Sequence, residues 1–220
     1  RVAANEGTVA GGNAARDAIL NRVYGFEILS APFVVSHLQI GLLLSRWQAS
    51  LDNDQRAQVY LTNALTDWVP GDVRAKQSAL QFLQQERDAA EQVKQGKRIL
   101  VVIGNPPYNA FAGTSTDEED DLIEAYKQGL ARVWGIKKYS LDDLYVRFFR
   151  MAERRITERG SRLGVVSFIS NYSWLDGLSH TGMREHLLRE FDVITVDNLH
   201  GDRIISEYAP DGRTSETVFA

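Results

Sequence analysis

The sequence contains no cysteine. That excludes disulfides, thiolate metal sites and cysteine nucleophiles, and it suits a reducing compartment. Histidine is scarce as well. His37, His180, His186 and His200 are scattered with no spacing typical of a metal site, so no metal is expected. No apolar run approaches the ~20 residues of a membrane span. The start also lacks a charged segment followed by an apolar core, so no signal peptide is indicated and the cytoplasm is the expected compartment. A basic excess is missing too: a net charge of −4 and a pI of about 5.6 argue against a surface that binds nucleic acid throughout.

What is present suffices for one sizeable core, or a large part of a bigger one: 220 residues, 44% hydrophobic and 10% aromatic. Charge is unevenly spread. Segment 147–162 carries Arg147, Arg150, Arg154, Arg155, Arg159 and Arg162 against Glu153 and Glu158, while 117–121 is wholly acidic. The basic stretch suits phosphate contact, or alternatively a solvated helix face laced with i,i+4 pairs.

Periodicity predicts alternating strands and helices. Residues 1–13, rich in Gly and Ala, read as a loop, and Arg16–Asn21 as a short helix. Strands are predicted at 23–28, 59–65, 99–103, 164–169 and 193–197, and helices at 31–50, 73–94, 121–132, 141–159 and 181–190. Such a βαβα order implies a mostly parallel, doubly wound sheet.

The most informative segment is Asn105-Pro106-Pro107-Tyr108, which ends the apolar run 99–103. An aromatic exocyclic amine is a poor nucleophile because its lone pair is delocalised into the ring. A side-chain amide carbonyl and a neighbouring backbone carbonyl, here those of Asn105 and Pro106, can each accept one of its N–H groups and stabilise the positive charge that grows during attack. Consecutive prolines fix φ near −65° and remove two backbone donors, so the turn is stiff and offers carbonyls without competing N–H groups. Tyr108 adds a ring on which an extruded base could stack, worth roughly 1–3 kcal/mol. An ordinary Pro-Pro turn is the bland alternative, but ligands in open α/β sheets sit at the carboxyl ends of strands, where this segment falls.

Taken in order, residues 23–28 with Ala31-Pro32-Phe33, then 60–65, 103–108, 143–149, 164–171 and 197–201 resemble the N6-adenine DNA methyltransferases. The resemblance is strongest to the methyltransferase module of type ISP and type IIG restriction-modification enzymes, and it covers nearly the whole chain. It implies a Rossmann-like fold using S-adenosyl-L-methionine, with double-stranded DNA as partner and a nuclease, helicase or target recognition domain fused in the parent. By this resemblance Asn105, Pro106, Pro107 and Tyr108 are catalytic, and Glu27 is the ribose-binding acid with Ile28 beside it. Asn63 and Ala64 flank the donor's adenine, although Asn63 reads equally well as a turn residue. Asn105 also borders the cofactor, Phe148 reads as core, and Asn171, Tyr172 and His200 lie near the target base.

One expected part is missing from the sequence. The family's glycine-rich cofactor loop follows an apolar strand, whereas Gly7, Gly11 and Gly12 have no such strand before them. Residues 1–220 are therefore expected to be the central portion of one catalytic domain, lacking its first strand, and to be inactive alone. A protein glutamine N5-methyltransferase shares the same tetrapeptide and is the alternative enzyme. A non-catalytic scaffold is the alternative of another class, and N4-cytosine methylation is disfavoured by Asn105.

Overall fold

The structure, a computed structural model, describes residues 8–68, 81–108, 117–136, 141, 143–158 and 163–199. Helix α1 (Thr8–Asn21) begins where a loop was predicted. Gly12 is there for packing. A Cβ on Gly12 would lie 2.4 Å from the Trp47 carbonyl oxygen, so the bare backbone lets α1 press against the end of α2 (Ser30–Arg46). Helix α2 stops earlier than predicted because Gln48 turns at φ 53° and the Ala49 N–H folds back onto the Leu44 carbonyl.

Between these helices runs β1 (Gly25–Glu27), which pairs in parallel with β2 (Val59–Leu61) in the register Glu27 to Leu61. Helix α3 (Gln81–Gly96) covers β2, burying Tyr60, Ala90 and Val93 together. Strand β3 (Val101–Gly104) pairs in parallel with β4 (Val165–Phe168), Gly104 opposite Phe168. Strand period two then decides the faces. Phe168 packs edge-on against Phe149 of α5 (Leu144–Thr157), whereas Val101, Val165 and the 78% exposed Ile103 point the other way, with nothing among the described residues covering them.

The predicted single sheet is thus two parallel pairs, since β1 and β3 are not hydrogen-bonded to each other. Side chains join the pairs instead: Phe26 of β1, Leu65 and Trp68 after β2, Leu122 of α4 (Asp117–Lys127), and Phe148 and Met151 of α5 form one cluster. The strand predicted at 193–197 is also absent. Those residues follow α7 (Thr181–Glu190) without a ladder neighbour among the described residues, and an alternating apolar pattern cannot make a strand without one. The prediction for α7 itself, 181–190, agrees residue for residue. Among the described residues no helix is long and apolar enough to cross a membrane, and no group of side chains could hold a metal.

Helices α4, α5 and α7 form the main core, with Ile123, Tyr126, Leu130, Tyr145, Val146 and Met183 buried. Each aliphatic side chain fully buried there is worth about 1.5–3 kcal/mol. At its centre Glu153, with no exposed surface, accepts the Tyr126 hydroxyl at 2.6 Å and an Arg150 N–H at 2.9 Å, and lies 2.6 Å from His186 Nδ1. Burial raises the Glu153 carboxyl above its ordinary value, against the opposing pull of Tyr126 and Arg150. The arginine-rich stretch divides: Arg154 pairs with Glu158 at i,i+4 spacing, as on the predicted helix face, Arg159 and Arg162 lie outside the described residues, and the remaining three turn inward. Arg147, Arg150 and Arg155 are buried, Arg150 also pairs with Glu158, and Arg155 stacks over Trp68 at 5.3 Å.

Candidate active site

The predicted site residues fall into two seats, each at the carboxyl end of one strand pair, the side on which open α/β sheets bind ligands. The first seat begins with Glu27. Its backbone carbonyl accepts the Thr62 N–H at 2.8 Å, which continues the ladder past β2. One carboxylate oxygen accepts the Leu29 N–H at 2.8 Å, fixing the side chain and leaving the other oxygen without a partner among the described residues. Ile28 is exposed beside it.

Across the pair, the 62–68 turn is held from beneath. Asn63 Oδ1 accepts the Leu65 N–H at 2.9 Å, so its side-chain carbonyl serves the turn. The Ala64 carbonyl accepts the Trp68 indole N–H at 2.7 Å. Asp67, buried, adopts φ 64°, a conformation that persists in a non-glycine residue only where the surroundings over-determine it. Here they do: Arg87 grips its carboxylate through two nitrogens at 2.9 and 3.2 Å, and the Gln95 amide donates to its backbone carbonyl at 3.3 Å. Lys94, fully buried, donates to the carbonyls of Asn63 and Thr66 at 2.6 and 3.0 Å. Glu86 accepts the Leu61 N–H at 3.1 Å and two Arg56 nitrogens. Burial pushes the Glu86 carboxyl up, but Arg56 and the Leu61 N–H together outweigh it and hold the group below 4.5.

The second seat is the turn after β3. Pro106 is buried while Asn105, Pro107 and Tyr108 are exposed. Gly104 leaves room for the turn, since a Cβ there would press on the Phe168 ring at 3.1 Å. The Tyr108 hydroxyl lies 2.9 Å from Asn105 Oδ1 and 3.2 Å from the Ile169 carbonyl, and its single proton serves one of these acceptors at a time. Partial burial raises the phenol's pKa, so it stays a donor. Of the neighbours predicted beyond β4, Asn171 uses its side-chain carbonyl to accept the Ser173 N–H at 2.7 Å at the start of α6 (Ser173–Asp176), and Tyr172 is exposed. His200 lies outside the described residues.

Sequence reasoning missed the aromatic wall behind this turn. Tyr145 meets Tyr108 edge-on at 6.4 Å and shares a 2.9 Å hydrogen bond with His180 Nε2, while Phe149 packs on Trp174 at 5.3 Å. Tyr145 and Phe149 stood inside a segment singled out from the sequence, but nothing in the sequence marked Trp174 or His180 as their partners. Burial, then Arg184, lowers the His180 pKa, which keeps the imidazole neutral and makes it a packing group.

The family model described as "Eco57I restriction-modification methylase" matches residues 21–205. No curated protein matches the chain. Among solved structures, the DrdV–DNA complex seen by cryo-electron microscopy is similar with a TM-score of 0.64 at 21% identity, covering 84% of this chain and 18% of that one. A nuclease-deletion mutant of the Type ISP restriction-modification enzyme LlaGI, in complex with a DNA substrate mimic, gives 0.59 at 19% identity, covering 84% and 16%. The ATP-dependent Type ISP restriction-modification enzyme LlaBIII bound to DNA gives 0.60 at 20%, covering 78% and 11%. At these identities the likeness is one of fold, and the chain spans less than a fifth of the length of each.

Proposed function

The chain belongs to the Eco57I restriction-modification methylase family, and from that premise we propose that residues 1–220 are the central portion of a single DNA adenine-N6 methyltransferase domain. The domain would act in the cytoplasm, within a longer polypeptide that also carries target recognition and nuclease or helicase parts. Its acceptor is an adenine turned out of double-stranded DNA, because N6 cannot be reached inside the stack.

The observation that carries this reading is the Tyr108 hydroxyl resting on Asn105 Oδ1. An exposed carbonyl within hydrogen-bond distance of a neighbouring hydroxyl is an acceptor ready for an amine N–H. In the proposed reaction Asn105 Oδ1 and the Pro106 carbonyl each take one N–H of the amine, drawing its lone pair out of conjugation. Tyr108 turns from Asn105 to stack on the base, with Asn171 and Tyr172 at the mouth of the seat. No side chain need remove a proton before attack, which suits a site whose buried histidine is neutral and engaged.

The methyl donor of such an enzyme is S-adenosyl-L-methionine, which supplies an electrophilic methyl group on a sulfonium. The first seat fits its adenosine half. The unengaged oxygen of Glu27 suits a ribose hydroxyl, Ile28 offers an apolar surface, and the turn at Asn63 and Ala64 borders the purine. Asn105 would border the donor from the acceptor side. The methionine half needs a glycine-rich loop, and Gly11 and Gly12 do not provide it, since both lie within α1. Among the described residues β1 pairs with β2 alone and β3 with β4 alone.

The test uses the intact protein, labelled S-adenosyl-L-methionine, and either DNA or a glutamine-containing protein as acceptor. Label recovered in N6-methyladenine, and lost in Asn105→Ala, is the expected result. Label in protein would reassign the acceptor, and label in neither would leave a scaffold.

A further inference from the structure

Lys94 has no part in the chemistry described above, yet it is the most deeply placed cation of the first strand pair. It has no exposed surface, and its ammonium lies 4.9 Å from the Phe26 ring centroid and 5.9 Å from that of Trp68. Burying an ammonium is costly unless its N–H groups are bonded. Two of its bonds go to the carbonyls of Asn63 and Thr66, both in one turn. A single nitrogen holding carbonyls three residues apart fixes the curvature of the segment between them. Two further residues of α3, Arg87 two turns before Lys94 and Gln95 next to it, hold Asp67 in its left-handed conformation. All of these restraints come from beneath the turn.

We propose that Lys94 is a positioning residue for methyl-donor binding, its ammonium setting the 63–66 turn in the shape that receives the donor's purine before any ligand arrives. This rests on the reading of the first seat given above. A preformed turn binds without the cost of ordering it, so the effect belongs to donor affinity and not to the acceptor seat.

The test uses the intact protein and S-adenosylhomocysteine as the probe, with affinity measured by calorimetry. Lys94→Met, which keeps the length and removes the charge, is expected to weaken binding of the probe at least tenfold while DNA affinity stays within twofold and melting stays cooperative. Lys94→Arg should recover part of the loss. Equal loss of probe and DNA affinity, or no loss, overturns the proposal. Amide hydrogen exchange on the unaltered protein decides the matter even where a variant does not fold. Residues 62–68 should exchange as slowly as α3 without the probe, and fast exchange that slows only on its addition overturns the proposal. An unaltered protein that fails to bind S-adenosylhomocysteine while 62–68 exchanges slowly overturns the donor reading itself, and the role of Lys94 in it, but leaves the clamp standing as a structural fact.

Discussion

The two strand pairs present their carboxyl ends in opposite ways. After β2, Lys94, Arg87, Gln95, Trp68 and Glu86 hold the chain at successive points through side chains from outside the turn or from its far end. After β3, Asn105 and Tyr108 are exposed, and the side-chain tie between them among the described residues is a hydroxyl shared with the Ile169 carbonyl. Under the proposed function, a small donor that is always the same molecule suits the rigid seat, and a base that must enter and leave again suits the seat closed by a displaceable bond.

Asn105→Ala gives the largest expected effect and tests the open side. Removing a carbonyl aimed at developing charge should lower the methyl-transfer rate of the intact protein by about 10²–10³-fold, read by label in N6-methyladenine. Its melting temperature should hold, because the residue is exposed. A matching fall in melting temperature would place Asn105 with the rigid side and break the contrast.

Glu86→Gln tests the rigid side. Charged hydrogen bonds of this kind are each worth about 1.5–3 kcal/mol, and a destabilisation of that order is expected at neutral pH. The sign with pH follows from a folded pKa held below 4.5. The contribution of Glu86 is fully present above 4.5 and lost as the pH falls below it towards the lower folded value, so the gap between variant and unaltered protein should close on acidification. Glu153, whose folded pKa is raised, works in the other direction, its contribution declining as the pH climbs above 4.5. Melting curves across this range, run on both proteins, check the sign, and a gap that widens in acid would overturn it.

Tyr108→Phe gives the smallest effect and the sharpest reading of the latch. The ring remains for stacking while the hydroxyl leaves Asn105 Oδ1 free, so the rate should stay within about a few-fold, a change below roughly 1.4 kcal/mol. Binding of S-adenosylhomocysteine should not change. A loss as large as that of Asn105→Ala would give the hydroxyl a direct part in the reaction.

The Asn105–Tyr108 segment was legible as a turn ending a strand because the β run and the two prolines are local, whereas its ties to Ile169 and Tyr145 were not. Helix α7 was legible for the same reason. Lys94 and the 147–155 arginines were not, because a polar helix reads as solvated until the partners that bury its charges are known, and those partners lie far away in sequence: Thr66 for Lys94, Trp68 for Arg155, Tyr126 for Glu153. Val193–Asp197 misled in the converse way, since its apolar residues lack a neighbouring strand among the described residues to make them one. Gly12 read as a loop residue because the Trp47 carbonyl it accommodates was invisible.

The placement of the clamp on α3 has a consequence for how the protein comes into being. The hydrogen bonds described above from α3 to the 62–68 turn come from residues at or before Gln95, whereas the Tyr108 hydroxyl must wait for Ile169, and Gly104 for its partner Phe168. On a ribosome, where chains emerge amino end first, the donor side can close while the acceptor side still lacks its second strand. The nascent chain would therefore acquire its small-molecule seat before it acquires any place to put a base.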